Sequence, residues 1–138
     1  MDHSDPLEAN RITLDELPPT QDIAPDTEIG DTSRVTGSVR IGAQTAIENC
    51  IVRGPVIIGQ NCKLTDTYIG PYTCLGDNIE IAMSEIENTI VHDDVSITGI
   101  EDRIQDSIIG ARTRIARVKI QPAIFQFRVD EDSFIEIV

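Results

Sequence analysis

The stretch Ile41–Cys74, IGAQTAIENCIVRGPVIIGQNCKLTDTYIGPYTC, carries its own period. Ile41, Ile58 and Leu75 stand seventeen residues apart, as do Ile47, Leu64 and Ile81, and again Val52, Ile69 and Ile86. Within each period the aliphatic positions are separated by six, five and six residues. That spacing gives three short strands per turn of chain, so the sequence predicts stacked coils forming a triangular prism.

The units divide as IGAQTA, IENCI and VRGPVI, then IGQNCK, LTDTY and IGPYTC, and a third coil runs from Leu75 to about Ile90. The fifth position of the six-residue units is Ser33, Val39, Thr45, Cys62, Thr73, Ile79, Val95 or Thr113. These are mostly small or β-branched residues, as an inward position beside a tight corner requires. The polar pairs Glu48-Asn49, Thr65-Asp66, Asp77-Asn78, Glu87-Asn88 and Gln105-Asp106 fall where the chain must turn, and Asn and Asp tolerate the backbone angles needed there. The repeat weakens after Ser96, where the seven-residue unit Ile97–Arg103 predicts a bulged corner or small loop.

This pattern resembles the hexapeptide-repeat family. The resemblance implies an all-β fold, a single-stranded left-handed parallel β-helix, and it alone supplies the handedness, because the general crossover rule points the other way. Roughly five coils are expected between Ile29 and about Ile120, a prism about 25 Å long at ~4.8 Å between strands.

The expected organisation is an N-terminal helix and linker over 1–28, the β-helix over 29–120 and a C-terminal cap over 121–138. Asp5 can cap a helix that starts at Pro6 and is stopped by Pro18-Pro19, with a linker from Pro19 to Glu28. At the other end Phe125, Phe127, Phe134 and the alternating Ile135-Glu136-Ile137 are placed to cover the open end of the solenoid.

The 138 residues, 40% of them hydrophobic, suit a single domain. The 24 acidic residues against 11 basic ones give a formal charge of −13, a field that repels nucleic acid and anionic membrane surfaces. Cys50, Cys62 and Cys74 form no CxxC pair, so reduced structural thiols are expected. With no signal-like opening and no long apolar run, the protein is expected to be soluble and cytoplasmic.

A more specific resemblance rests on DPLEAN at 5–10, IVRGPVIIG at 51–59, YIGPYTCLG at 68–76, SEIENTIV at 84–91 and the closing FRVDEDSFIEI. In this order they resemble the C-terminal part of bacterial and archaeal glucose-1-phosphate thymidylyltransferases. In that family an N-terminal Rossmann-like domain binds the nucleotide and sugar phosphate through a Gly-rich loop, with acidic residues for Mg2+. This sequence contains no GxGxRxxP-like loop, and DPLEAN corresponds to the last helix of the catalytic domain, so a cut at the domain boundary is expected. The resemblance implies a non-catalytic module of dTDP-sugar synthesis, serving assembly or regulation, whose partners are copies of itself or a catalytic domain. It implies no cofactor in this chain.

Two alternatives stay open. An acetyl-CoA-dependent acyltransferase would need His92 as its base, although Val91 occupies the inward position and His92 should therefore point outward. A free-standing β-helix scaffold is the third reading. A β-helix carbonic anhydrase needs three histidine ligands, and this chain has two histidines. Arg53-Gly54-Pro55 reads as a rigid corner with a salt-bridging arginine, or else as an anion contact. Asp93, Asp94 and the run Asp130-Glu131-Asp132 read as solvated loops.

Overall fold

The computed structural model describes residues 5–117 and, beyond them, 128, 131–132 and 134–136. The chain winds into a left-handed parallel β-helix with three faces. The first face stacks β1 (Gln21–Ile23), β4 (Val39–Ile41), β7 (Val56–Ile58), β10 (Thr73–Leu75), β13 (Ile90–Val91) and β16 (Ile108–Ile109). The second stacks β2 (Glu28–Ile29), β5 (Ala46–Glu48), β8 (Lys63–Thr65), β11 (Glu80–Ala82), β14 (Ser96–Thr98) and β17 (Arg114–Ala116). The third consists of β3 (Arg34–Thr36), β6 (Ile51–Arg53), β9 (Tyr68–Ile69), β12 (Glu85–Glu87) and β15 (Ile104–Gln105).

The three aliphatic columns read from the sequence are the register itself. Ile41 pairs with Ile58 and Ile58 with Leu75 on the first face. Ile47, Leu64 and Ile81 align on the second, and Val52, Ile69 and Ile86 lie on successive strands of the third. Every one of these side chains is 2% exposed or less. Strands of two or three residues cannot hold a register by backbone bonds alone. A one-residue slip would turn this column to water and the polar flanks inward, so burial sets the register.

The corners are where the polar pairs were expected. Asn49, Asp66, Asn78, Asn88 and Asp106 all have φ between +48° and +59°, a region Asn and Asp enter more readily than other side chains. Their side chains also join successive coils: Asn49 Nδ2 donates to Asp66 Oδ1 at 2.6 Å, Asn61 Nδ2 to Asn78 Oδ1 at 2.7 Å, and Asn88 Nδ2 to Asp106 Oδ1 at 2.6 Å. The fifth-position residues Thr45, Cys62, Thr73, Ile79 and Val95 are buried beside these corners. Thr45 shows why a small polar residue is tolerated there: its hydroxyl donates to Gly59 O at 3.0 Å and accepts from Cys62 N at 3.2 Å.

The prism starts earlier than the repeat alone suggested. Gln21–Ile23 lies in the segment read as linker, yet it pairs in parallel with Val39–Ile41, so two faces have six strands and the stack makes about six turns. The offset there is eighteen residues instead of seventeen (Gln21 to Val39), which hides the first coil from a strict period. The expected irregularity after Ser96 is present: Gly99 turns with φ +73°, and the step from Ile86 to Ile104 is also eighteen. The cap expected over 121–138 lies largely outside the described residues.

Ahead of the prism, α1 (Pro6–Asp15) begins as read: the Asp5 carboxylate accepts from Leu7 N, and Pro6 opens the first turn. The helix is held to the outside of the prism mainly at Tyr72, and Arg11 Nη1 also donates to Asn88 Oδ1 at 3.5 Å. Asn10 Nδ2 donates to Tyr72 O at 3.1 Å, the Arg11 guanidinium sits 4.1 Å from the Tyr72 ring centroid, and Tyr72 Oη donates to Asp15 Oδ1 at 2.8 Å. Leu14, 1% exposed, is the buried apolar residue of α1.

The hydrogen bond to Asp15 raises the Tyr72 phenol above its ordinary value of 10.0. A phenol raised on folding favours the docked helix below its unfolded value, and that contribution is lost as pH climbs through the folded one. Hydrogen exchange in α1 is therefore expected to accelerate above about pH 10. In Tyr72→Phe the exchange should be faster already at pH 7, and the alkaline step should vanish.

Candidate functional site

His92 stands where the alternation put it: Val91 is buried and His92 is exposed at the corner after β13. Its backbone N–H is tied to Ile109 O at 2.9 Å. Among the described residues its ring makes no hydrogen bond, and the neighbouring Asp93 Oδ1 is occupied by Asp77 N at 2.8 Å. An imidazole without an oriented partner is not assembled for base catalysis.

Arg53-Gly54-Pro55 forms a tight corner, with a cis Gly54-Pro55 bond and Gly54 pressed against Ser38 of the preceding coil. The ion pair expected of Arg53 is not formed among the described residues. Its guanidinium instead stands on the exposed third face.

That face holds the most organised side-chain cluster outside the core. Arg103 reaches Glu85 and Glu87, each at 3.2 Å, and lies 4.8 Å from the Tyr68 ring centroid. Tyr68 Oη in turn donates to Glu87 Oε1 at 3.2 Å. Beside it an open groove of about 400 Å³ is lined by Ile51, Asp66, Tyr68, Met83, Glu85 and Glu101. Sequence reading passed over this cluster because Tyr68, Glu85 and Arg103 are far apart along the chain. The signal was available: they stand one coil apart, on the outward side of the Ile69–Ile86–Ile104 column.

The three thiols are unpaired. Burial pushes Cys50, Cys62 and Cys74 up from the ordinary thiol value, keeping them protonated and poorly nucleophilic at neutral pH. Among the described residues no group of three or more His, Cys, Asp or Glu could hold a metal ion. No helix among them is long and apolar enough to cross a membrane.

No protein-family model matches the chain. Two solved structures share its fold: an acetyltransferase-like protein from Bacillus cereus (19% identical, 70% of this chain and 69% of that one, TM-score 0.58), and a variant of perosamine N-acetyltransferase from Caulobacter crescentus in complex with CoA and GDP-perosamine (16% identical, 81% and 56%, TM-score 0.64). At such identities the likeness is one of fold. The sequence relatives are different proteins. Glucose-1-phosphate thymidylyltransferase of Streptomyces antibioticus is 34% identical over 134 residues, 97% of this chain and 36% of that protein. Its counterpart in Streptomyces griseus is 33% identical over 112 residues, 81% and 30%. The chain thus spans about a third of the relatives it matches, and over nearly its whole length it is similar to the C-terminal part of glucose-1-phosphate thymidylyltransferases.

Proposed function

We propose that this chain is a non-catalytic β-helix module of a glucose-1-phosphate thymidylyltransferase-like enzyme of dTDP-sugar synthesis, and that it serves assembly or regulation. The supporting observation is the match of 97% of the chain to the C-terminal part of such an enzyme. A regular prism suits that role: its core is aliphatic, its backbone bonds are closed within the stack, and what it offers other proteins is flat, rigid faces. Any Mg2+ would belong to a catalytic domain and not to these residues. Three unpaired thiols, two of them buried and Cys74 partly so, fit a cytoplasmic setting. The acyltransferase reading would place the chemistry at His92, whose ring has no orienting partner among the described residues.

The decisive measurement is dTDP-glucose formation from glucose 1-phosphate and dTTP with Mg2+ by the purified chain. No turnover above the uncatalysed rate is expected. Robust turnover would overturn the proposal.

A further inference from the structure

We infer that α1 is a releasable clamp: it covers an apolar stripe on the outside of the first face, and it opens from that stripe as a unit while the prism stays folded. The inference rests on the chain's own contacts and not on the module reading; under that reading it makes α1 the joint whose docking sets the direction of the prism relative to a catalytic domain. The stripe follows from the register. Cys74 lies between the buried Thr73 and Leu75, so it faces outward, and its partners in the coils on either side are Ile57 and Ile90. Ile90 in turn pairs with Ile108. The outward column thus reads Ile57, Cys74, Ile90, Ile108. Its first three members are half-buried, whereas Ile108, on the last strand of the face, is 47% exposed.

The helix presents a matching side. Leu7, Asn10, Leu14 and Leu17 recur at helical spacing and are covered, while every other residue from Asp5 to Thr20 is exposed. Leu14 is 1% exposed yet stands apart from the aliphatic core, which is closed inside the three sheets, so its burial is against the outside of the prism. The chain leaving α1 stays on the first face: Leu17 and Pro18 line a cavity with Val39 and Arg40 of β4, and Val39 N donates to Thr20 O at 3.1 Å. Burial also raises the Cys74 thiol, although its side chain faces outward.

Tyr72, the anchor, has φ +67°. At the same corner of the next two coils stand Asn88 and Asp106, which enter this region more readily. A tyrosine is held there against its backbone preference, and what it supplies is the set of contacts to Asn10, Arg11 and Asp15. As a fastening this set is light. Two of the three hydrogen bonds are exposed, a surface cation–π contact adds little, and Leu14 is the one fully buried residue of α1. The prism strands, bonded to the coils above and below, are far better held. Opening of α1 therefore takes a fraction of the free energy of global unfolding.

The test is alkylation of the whole native chain by iodoacetamide at about pH 8, where thiols react as thiolates, read at each cysteine by peptide mass mapping and paired with hydrogen exchange of α1. In the wild type Cys74 should react faster than Cys50 and Cys62, which lie in the core, and at least about tenfold slower than a free thiol. Leu14→Ala should raise the Cys74 rate at least about tenfold. Arg11→Ala, an exposed change that leaves the prism untouched, should raise it about two- to fivefold. Cys50 and Cys62 should keep their wild-type rates in both variants. Amide exchange across α1 should accelerate by the same factor as Cys74 alkylation, because one opening event exposes both. A variant that raised alkylation alone would have left a gap under a helix that stays docked, and would overturn the clamp. So would a wild-type Cys74 that reacts like a free thiol, a Cys74 as slow as Cys50 and Cys62 throughout, or a rate unchanged in the two variants.

Discussion

Leu64→Ala is expected to lower stability by about 3–5 kcal/mol, the upper part of the range for a buried Leu-to-Ala change. Leu64 has no exposed surface and stands at the middle of the second face, stacked between Ile47 below and Ile81 above. Truncation removes buried aliphatic volume, and the cost beyond simple transfer depends on how far the surroundings close over the space left. Here they close little. The walls are three sheets whose strands are each bonded to the coil above and the coil below, so moving one strand inward would break the ladders on both sides. In a chain of this size such a loss corresponds to a fall in melting temperature on the order of 10–20 °C. Ile115→Ala is the informative comparison. Ile115 is only partly buried, on the last described strand of the same face, and its loss should cost less than about 2 kcal/mol. Calorimetry of both variants decides it. Equal penalties would mean that the stack does not distribute stability by nearest neighbours as solenoids do.

The contrast also explains which parts of the structure were legible in the sequence. The central coils were, because burial and turn chemistry act together there: an aliphatic residue every seventeen, and an Asn or Asp at most of the corners that need positive φ, Gln44, Tyr72 and Met83 being the exceptions in these coils. Neither signal requires knowing what lies across the molecule. The first coil was not legible. Its single buried-side residue in β1, Ile23, is only partly covered and stands eighteen residues before Ile41. A terminal coil has a neighbour on one side only, so its sequence is held less strictly to the period. The cluster at Tyr68, Glu85, Glu87 and Arg103 escaped for a related reason. Outward positions are not constrained by packing, so any residue type can stand there, and a functional arrangement leaves no periodic trace. What the repeat does supply is the alignment on which such residues can be compared, and it brings Tyr68 beside Glu85 in register. His92 was read correctly as outward because its neighbour Val91 obeys the period, a local argument that needed no tertiary information.

Gly54→Ala is expected to be the most disruptive small substitution outside the aliphatic columns, costing about 3 kcal/mol or more, at and beyond the upper end of ordinary overpacking. A Cβ at Gly54 would lie 2.2 Å from Ser38 O, 2.6 Å from Ser38 N and 2.8 Å from Ser38 C, all backbone atoms of the coil before it. A flexible side chain could swing away from such an intrusion, but this backbone is fixed. Gly54 N donates to Thr36 O at 2.8 Å and Val56 N donates to Ser38 O at 3.1 Å, so the bonds that bring the two coils together are the ones the new methyl group would force apart. Relief requires lifting one coil off the other, which also strains the Val39–Val56 pairing of the next strand. Gly30→Ala should be nearly neutral. A Cβ there would meet Ile47 O at 3.4 Å and Glu48 Cγ at 3.5 Å, both ordinary contacts. Glycine is thus required at one position by the approach of the neighbouring coil and at the other by nothing in its surroundings. Chemical denaturation of the two variants reads the difference directly: a midpoint for Gly54→Ala within error of that for Gly30→Ala would mean that the coils can separate at this corner without cost, contrary to the closely bonded stack described above.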